Sequence, residues 1–288
     1  MKKLKLSIVI PARNEETNIE KVLTELAEVI GPSSIPYELI VVNDNSTDGT
    51  AQVVESCSEK DSTIRLVNRE PPSGFGRAIR SGLGAVTGDV VVICMGDQSD
   101  DPRDVLAYYH KILEGYDCVF GSRFIAGAEV HDYPRTKLIC NRIVNKMIQL
   151  LFWTSHNDLT NAFKAYRSYV IRECEPYKAC HFNITIEMSL SALIRGYAIA
   201  RIPIRWYGRV WGSSKLGLQE MGRRYLVTLL KIFFEKVLVH DDLMAERMSY
   251  RLHAERSQQE LADRMSTLEG RLLALEKRLD VPPLIDST

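Results

Sequence analysis

The residues that decide the fold are LSIVIPARNEE at positions 6–16 and ELIVVNDNSTDG at positions 38–49. Each stretch is a short apolar run that ends in a polar loop, and its apolar residues do not alternate with polar ones. Such runs are typical of strands buried on both faces, as in a parallel sheet that helices cover. Between the two runs, residues 18–30 place apolar side chains at helical spacing. The stretch therefore predicts a strand, a helix and a second, parallel strand.

The same alternation continues toward the middle of the chain. We predict a short helix over 51–58, a strand over 64–67, a helix over 76–86 and a strand over 89–95. This order indicates an α/β fold with a doubly wound, mostly parallel sheet. Ligands of such sheets bind beyond the carboxyl ends of the strands. The loops that follow the predicted strands are therefore the candidate site.

Composition excludes several classes of protein. The chain has 288 residues, 45% of them hydrophobic, and its 37 basic residues balance 37 acidic ones. A chain with zero net charge lacks the excess of basic residues that is typical of nucleic-acid-binding proteins, so we expect no nucleic acid partner. The apolar runs are shorter than the about 20 residues of a membrane-spanning helix, and the first is shorter than the about 7 to 15 apolar residues of a secretory signal. Six scattered cysteines indicate a reducing compartment, and together these features predict a cytoplasmic protein.

Apolar residues recur at spacings of 4 and 3 near the C-terminus, at Leu261, Met265, Leu268, Leu272, Leu275 and Leu279. This is the a/d pattern of a coiled coil, with Leu268 and Leu275 at position d. Arg264 and Glu269 then occupy position g and the following position e, which is the interchain pairing of a parallel coiled coil. We therefore predict a homo-oligomer, although a helix docked on the main domain would show the same stripe.

Residues 223–239, RRYLVTLLKIFFEKVLV, combine apolar residues on one side of a predicted helix with basic residues beside them. This pattern is typical of a helix at a membrane surface, and also fits a helix that packs on the core or on another subunit. The predicted organisation is an α/β domain at 1–217, the amphipathic helix at 218–240, a coiled coil at 241–280 and a flexible tail at 281–288.

The loop after the second predicted strand contains a candidate ligand-binding carboxylate. Asp44 lies where it would accept hydrogen bonds from a nucleobase N–H or from ribose hydroxyls. The alternative for this loop is a helix N-cap, a role that suits Ser46, Thr47 and Asp48. We expect Asp48 to have the capping role and Asp44 to face a ligand.

The loop after the strand predicted at 89–95 is rich in oxygen-bearing side chains, with Asp97, Ser99, Asp100 and Asp101 within five positions. Such side chains suit a hard cation such as Mg²⁺, which often binds one or two carboxylates together with substrate phosphates. They also suit the N-terminus of a helix that starts at Pro102. We expect Asp100 and Asp101 to cap this helix and Asp97 to be the metal ligand.

In this order, the segments resemble the motifs of inverting family 2 glycosyltransferases, and most closely the branch of dolichol- and polyprenyl-phosphate mannosyl- or glucosyltransferases. The resemblance covers about residues 6–216 and rests on VIPARNEE, VVNDNSTDGT, SGFGRAIRSG, GSRF, DLTNAFKAY and RVWGSSKL. It implies a GT-A fold for the α/β domain. It also implies a nucleoside diphosphate sugar donor, such as a GDP- or UDP-hexose, and a lipid-linked phosphate acceptor.

The resemblance also implies which residues surround the donor: Pro11, Ala12, Asn14, Glu15, Asp44, Gly74, Gly76, Arg77, Asp97, Arg209, Ser214 and Lys215. Among them, Arg209, Ser214 and Lys215 would contact the diphosphate. Asp97 and Ser99 would hold Mg²⁺ or Mn²⁺. Met95 stands where the family has a first metal-binding Asp. This change would weaken metal binding, shift it onto Asp97 and Ser99, or leave the diphosphate to basic side chains.

For the acceptor, the resemblance implies Arg123, Arg135, Lys137, Asn141 and Arg142, and for catalysis Asp97, Arg209, Asp158 and Glu187. A phosphate acceptor is already ionised and needs no general base. With such an acceptor, Asp158 and Glu187 would organise the site. With a hydroxyl acceptor, either carboxylate would be the candidate base.

The sequence therefore predicts an enzyme that transfers a hexosyl unit from a nucleoside diphosphate sugar to a polyprenyl phosphate. It would act as a homo-oligomer, in the cytoplasm or peripherally at the cytoplasmic face of a membrane. Two alternatives stay open, namely transfer to a hydroxyl of a sugar or small molecule, and a non-catalytic scaffold that binds nucleotide sugars.

Overall fold

The computed structural model describes residues 3–208 and 218–279. The chain divides into two compact units, Met1–Val239 and His240–Thr288. The first unit contains both sheets and the candidate loops.

The first part of the chain follows the predicted alternation of strands and helices. Its elements are β1 (Leu6–Ala12), α1 (Ile19–Ile30), β2 (Tyr37–Asn43), α2 (Thr50–Lys60), β3 (Ile64–Asn68), α3 (Phe75–Ala85) and β4 (Val90–Ile93). The strand β4 is shorter than predicted. Beyond Ile93 the chain turns into a loop in which the Met95 N–H donates to the Asp100 carboxylate at 2.9 Å.

The rest of the first unit completes the sheet and covers it with further helices. Its elements are α4 (Arg103–Leu113), β5 (Cys118–Ser122), β6 (Glu129–His131), α5 (Arg135–Phe152), β7 (Lys164–Arg167), α6 (Ser168–Cys174), α7 (Ile184–Ile194), β8 (Ile199–Pro203), β9 (Arg205–Tyr207) and α8 (Leu218–Leu238). The second unit contains one helix of 40 residues, α9 (His240–Leu279).

The central sheet has seven strands in the order β3-β2-β1-β4-β7-β5-β8. All neighbours are parallel except at β7, which runs antiparallel to both β4 and β5. The residues that precede β7 therefore lie at the same edge as the residues that follow β4 and β5. This reversal brings the 158–161 loop to the candidate site. The strands β6 and β9 form a separate parallel pair.

Burial of the first strands fixes the loops at their ends. All seven residues of β1 are buried, and so are the five central residues of β2. Each fully buried Val, Leu or Ile side chain stabilises the fold by about 1.5–3 kcal/mol. The absence of alternation in these strands thus reflects a sheet that is covered on both faces, as predicted.

The helix α8 packs against α7 and α5 through one face and leaves apolar side chains exposed on another. Leu229 and Ile232 are buried. Exposed apolar residues of α8 are Leu226, Val227, Leu230, Phe234, Val237 and Leu238. Among the residues that the structure describes, no helix has both the length and the apolar character needed to cross a bilayer.

Candidate active site

The loops that follow β1 and β2 are joined by hydrogen bonds. The Asn14 N–H donates to Ser46 Oγ at 3.0 Å, and Asn14 Oδ1 accepts from the Thr47 N–H at 2.8 Å. Asn14 has a φ of 54°, a left-handed conformation that Asn tolerates better than most residues. Hydrogen bonds of Ser46 and Thr47 with Asn14 therefore hold the loop that follows β1 against the loop that follows β2. Asp48 caps α2, because its Oδ1 accepts from the Thr50 N–H at 3.1 Å.

The remaining predicted donor residues of the first loop lie at its base. Pro11 and Ala12 end β1, and the Ala12 carbonyl accepts from the Asp44 N–H at 2.9 Å. Glu15 is buried, and its Oε2 accepts from Asn18 Nδ2 at 2.8 Å. Glu15 therefore stabilises the loop through its hydrogen bond with Asn18.

Asp44 follows β2, and both of its carboxylate oxygens are engaged. Oδ2 accepts from the Gly74 N–H at 2.6 Å, and Oδ1 is paired with the Arg69 guanidinium. The Nε of Arg69 also donates to Ser81 Oγ at 3.0 Å. Arg69 was not among the predicted site residues. The available signal was its position just beyond a predicted strand, at the same sheet edge as Asp44.

Gly74 and Gly76 allow two backbone segments to approach closely. A Cβ atom at Gly74 would lie 2.4 Å from the Cys180 carbonyl oxygen, and one at Gly76 would lie 2.5 Å from the Ala179 carbonyl oxygen. The Cys180 carbonyl also accepts from the Gly76 N–H at 3.1 Å. Packing against this segment explains both glycines, and their contact with a donor stays a prediction. Arg77 lies in the same first turn of α3.

The candidate metal loop follows β4. Asp97 and Ser99 are buried, and Asp97 Oδ1 accepts from the Ser99 hydroxyl at 2.6 Å. Within residues 3–208 and 218–279, no three His, Cys, Asp or Glu side chains form a group that could hold a metal ion. One carboxylate and one hydroxyl still fit Mg²⁺ or Mn²⁺ as a partial ligand set, which substrate phosphates would complete.

The expectation that Asp100 caps α4 was wrong. Its carboxylate accepts from the Met95 N–H instead, which ties the loop back to the end of β4. Asp101 has the capping role, because its Oδ1 accepts from the Arg103 N–H at 2.9 Å. Burial raises the pKa of Asp100 to about 7, and the charge of Asp97 adds to the rise. The hydrogen bond from the Met95 N–H and attraction to Arg123 oppose the rise.

Arg123 and Asp158 form a buried, bidentate ion pair. Arg123 Nε donates to Asp158 Oδ2 at 2.8 Å, and Nη2 donates to Oδ1 at 2.7 Å. The backbone N–H of Arg123 adds a third bond to Oδ2 at 3.0 Å. Arg123 follows β5 and Asp158 precedes β7, so the antiparallel strand is what brings the two residues together.

Aromatic rings enclose the Arg123 guanidinium. Its central carbon lies 5.3 Å from the centre of the Tyr133 ring and 5.8 Å from that of Trp206. The Tyr133 hydroxyl accepts from Asn141 Nδ2 at 2.7 Å, which places this predicted acceptor residue at the same cluster. Tyr133 and Trp206 were not predicted as site residues, because they reach the site from a loop and from the small sheet.

The other predicted acceptor residues lie along α5. The guanidinium of Arg142 lies 4.7 Å from the centre of the Phe124 ring, next to Arg123 in the chain. Arg135 is the first residue of the helix and is exposed, whereas Lys137 is half-buried. The structure thus groups Arg123, Asn141 and Arg142 around one aromatic cluster.

Glu187 and Lys164 are buried charges behind the site. Glu187 Oε2 accepts from the backbone N–H groups of Lys178 and Ala179 at 2.9 and 2.7 Å. The ammonium of Lys164 donates to the carbonyls of Leu159, at 2.8 Å, and Asn161. Burial lowers the pKa of Lys164 to about 7, although the charge of Asp158 opposes this shift. The sequence did not predict the hydrogen bonds of Glu187 with residues 178 and 179, or those of Lys164 with the two carbonyls.

Three predicted donor residues, Arg209, Ser214 and Lys215, lie outside the residues that the structure describes. Their contacts with the diphosphate stay a prediction.

Comparison with known families decides the class of the chain. The model of the family described as Glycosyl transferase family 2 matches residues 7–174. The chain belongs to glycosyltransferase family 2. The match includes the loops that follow β1, β2 and β4, the Arg123–Asp158 pair and the whole of α5.

Relatives of this family 2 glycosyltransferase include a dolichol-phosphate mannosyltransferase of Pyrococcus furiosus, which is 27% identical over 217 residues, or 74% of this chain and 59% of that protein. A polyprenol monophosphomannose synthase of Mycolicibacterium smegmatis is 24% identical over 215 residues, or 73% of this chain and 80% of that protein. An uncharacterised glycosyltransferase of Synechocystis sp. is 32% identical over 147 residues, or 51% of this chain and 46% of that protein. The chain spans about half of the length of the Synechocystis and Pyrococcus proteins.

A solved structure confirms the fold class. Glucosyl-3-phosphoglycerate synthase of Mycobacterium tuberculosis, in complex with Mn²⁺, uridine diphosphate and glucosyl-3-phosphoglycerate, superposes with a TM-score of 0.62 at 22% identity. The match covers 80% of each chain. The family 2 glycosyltransferase described here therefore has a GT-A-like α/β fold around a mostly parallel sheet.

Proposed function

We propose that this family 2 glycosyltransferase transfers a hexosyl unit, with inversion, from a nucleoside diphosphate sugar to a polyprenyl phosphate. The names of the Pyrococcus and Mycolicibacterium relatives support a lipid-linked phosphate acceptor and a mannosyl unit. The bound uridine diphosphate and Mn²⁺ of the Mycobacterium tuberculosis enzyme support a nucleotide donor and a divalent cation. The donor sugar would be carried by GDP or UDP.

The observation that carries this proposal is the composition of α5. Its N-terminal half carries three cations, Arg135, Lys137 and Arg142, of which Arg142 lies beside the Arg123 cluster. An apolar stripe runs along the same helix, and its members are 43–81% exposed: Ile139, Ile143, Met147, Leu150 and Trp153. A lipid phosphate needs both features, because its head group is anionic and its chain is apolar. A soluble sugar acceptor would need only the first.

The bonding of the two predicted catalytic carboxylates also favours a phosphate acceptor. A hydroxyl acceptor needs a general base within hydrogen-bond reach of its proton. Asp158 is held by Arg123 through both oxygens, and Glu187 is held by two backbone N–H groups and by Lys231. Both carboxylates therefore act as structural anchors in this arrangement. An ionised phosphate oxygen needs no base and would attack the anomeric carbon as the bond to the diphosphate breaks.

The donor would lie across the ends of β1, β2 and β4. Asn14 and Asp44 would face its nucleoside, and Arg209, Ser214 and Lys215 would contact its diphosphate. Asp97 and Ser99 would hold Mg²⁺ or Mn²⁺. When bound, the cation would neutralise charge that develops on the departing diphosphate.

The exposed apolar residues of α5 and α8 support peripheral attachment at the cytoplasmic face of a membrane. Both helices belong to the first unit and contact each other. The same helices carry exposed basic side chains such as Arg142 and Arg223, and interfacial helices combine apolar and basic residues in this way at anionic lipids.

A second candidate function is transfer to a small phosphorylated acceptor through its hydroxyl. The fold match supports it, because the Mycobacterium tuberculosis enzyme was also captured with phosphoglyceric acid. The cations around Arg123 would hold the phosphate group of such an acceptor equally well.

The deciding experiment is a transfer assay with radiolabelled GDP-mannose, UDP-glucose and UDP-N-acetylglucosamine, each with and without Mg²⁺ or Mn²⁺. Each donor is offered with a polyprenyl phosphate and, separately, with 3-phosphoglycerate. We expect label in the organic phase, in the presence of the cation, with one donor. A water-soluble product with 3-phosphoglycerate would establish the second candidate. Donor binding without transfer or hydrolysis would favour a non-catalytic scaffold.

Two variants of α5 separate acceptor binding from general charge effects. We expect Arg142→Met to raise the KM for polyprenyl phosphate by about tenfold, as loss of a charge-assisted contact does. Lys146→Met removes one exposed cation from the same helix, one turn further along, and should leave that KM unchanged. Equal effects of both variants would contradict a specific role of Arg142.

A further inference from the structure

Glu187 is a buried carboxylate that joins two parts of the first unit. It is 3% exposed. Its Oε2 accepts from the N–H groups of Lys178 and Ala179, and its Oε1 accepts from Lys231 Nζ at 3.0 Å. A carboxylate withdrawn from water needs such donors and a countercharge to stay ionised. Lys231 of α8 supplies that countercharge.

The segment that Glu187 holds is the support of the predicted donor loop, residues 73–77. The Cys180 carbonyl accepts from the N–H groups of Gly76 and Arg77 at 3.1 and 3.4 Å. The rings of Phe75 and Phe182 stack with their centres 4.2 Å apart. The first turn of α3 therefore rests on residues 180–182 through both backbone and side-chain contacts. The same turn follows Gly74, whose N–H donates to Asp44.

Polar contacts help to fix the position of α8 on α7. Asn183 Nδ2 donates to Thr228 Oγ1 at 2.9 Å, and Lys231 Nζ donates to Glu187. The contacts are one helical turn apart on both helices, so α8 is held at one register along α7. Lys231 is 37% exposed and also lies 3.7 Å from Glu235, so its charge is partly solvated.

From these contacts we propose that Lys231 is a positioning residue for the donor loop. It acts through Glu187 and the 178–182 segment, and it couples the docking of α8 to nucleotide binding. The proposal rests on the proposed function and on the predicted donor-binding role of Gly74, Gly76 and Arg77. Because coupling between two sites is reciprocal, nucleotide binding should in turn strengthen the docking of α8.

The test is calorimetric titration of the full chain with UDP and with GDP. For the nucleotide that binds, Lys231→Met should weaken the affinity by about fivefold, the upper range for a partly exposed ion pair. Lys231→Arg should restore it, since a guanidinium can reach the same carboxylate. Lys236→Met is the matched control. It removes the same charge from α8, but Lys236 donates to the Phe152 carbonyl and does not contact Glu187.

Hydrogen exchange of the nucleotide-free chain gives a second readout that a general loss of stability would not reproduce. Faster exchange at the Gly76 and Arg77 amides is expected in Lys231→Met and not in Lys236→Met. If wild type binds a nucleotide and Lys231→Met binds it equally well, the inference is overturned while the proposed function stands. If wild type binds neither nucleotide, the proposed function fails, and the inference fails with it.

Discussion

At the scale of single residues, the site contains ion pairs of very different burial. Arg123 and Asp158 are both almost completely buried, with side-chain exposures of 7% and 1%. Asp101 is also buried, but its partner Arg103 is 61% exposed. Removal of one partner leaves a buried, uncompensated charge in the first pair, and a solvated charge in the second.

This contrast predicts the cost of two similar substitutions. Asp158→Asn should lower the free energy of unfolding by about 3–5 kcal/mol, because the Arg123 guanidinium stays buried without its countercharge. Asp101→Asn should cost about 0.5 kcal/mol or less, because Asn caps a helix about as well as Asp and the lost ion pair has a solvated partner. Urea denaturation at neutral pH measures both. Equal losses would contradict the assigned burial of the Arg123 pair.

Burial of Lys164 should make the stability of the fold depend on pH. Lys164 is 1% exposed, and burial lowers its folded-state pKa from 10.5 to about 7. Between these values the unfolded chain binds a proton that the folded chain does not, so the stability of wild type should rise with pH relative to Lys164→Met. The rise is at most about 5 kcal/mol, since one pKa unit corresponds to about 1.4 kcal/mol. Urea denaturation of both proteins from pH 6 to 10 would reveal it, and parallel profiles would show that burial does not lower the pKa of Lys164.

Substitution of Asp97 should affect turnover and not folding. Asp97 hydrogen-bonds to Ser99 in the loop that follows β4, and Asp97→Ala should reduce transfer by about 100-fold or more, as loss of one electrostatic contact to developing charge does. The circular dichroism spectrum should not change. Asp101→Ala, four residues further on, should lower the melting temperature while transfer is retained. Unchanged turnover in Asp97→Ala would remove this residue from the mechanism.

At the scale of elements, α3 contains two glycines in contrasting environments. A Cβ at Gly76 would lie 2.5 Å from the Ala179 carbonyl oxygen and 2.8 Å from that of His181, whereas a Cβ at Gly84 would have no neighbour within 4 Å. Gly76→Ala should therefore destabilise the protein by about 1–3 kcal/mol through overpacking. Gly84→Ala should stabilise it by about 0.5–1 kcal/mol through helix propensity. Thermal unfolding measures both. If Gly76→Ala leaves the melting temperature unchanged, the 179–181 segment can move to make room for the added methyl group.

Elements with strong local patterns were predictable, and those defined by distant pairing were not. The unbroken apolar runs of β1 and β2 and the helical spacing of α1 depend on neighbouring residues, and the structure confirms them. The direction of β7 depends on its partners β4 and β5, and no local pattern encodes it. For the same reason the sequence suggested Arg123 and Asp158 separately, but not their ion pair.

The contacts that the sequence did not reveal share this cause. Arg69 meets Asp44, and Tyr133 and Trp206 meet Arg123, across elements that are far apart in the chain. Asp100 was misassigned because a carboxylate next to a helix start fits a cap by pattern alone. Only the fold shows that the Asp100 carboxylate accepts from the Met95 N–H.

At the scale of the whole molecule, the hydrophobic core of the sheet and the helix α9 belong to different units. The core cluster around β1 and β2 is formed by residues between Leu6 and Ile204. In the second unit, by contrast, the apolar residues of the seam are 54–62% exposed: Leu261, Met265, Leu268, Leu272 and Leu275. A heptad seam of this kind is stabilised by burial against another copy of the same helix.

We therefore expect α9 to form a parallel coiled coil between copies of the chain. Deletion of residues 241–288 should reduce the mass measured by light scattering to that of a smaller assembly, with the sheet core intact. Leu268→Glu combined with Leu275→Glu should have the same effect, because it places like charges at two d positions. Thr267→Glu combined with Ala274→Glu adds the same charge at exposed positions beside the seam and should leave the mass unchanged. An unaltered mass in the d-position variant would refute the coiled coil and leave the exposed leucines to another partner.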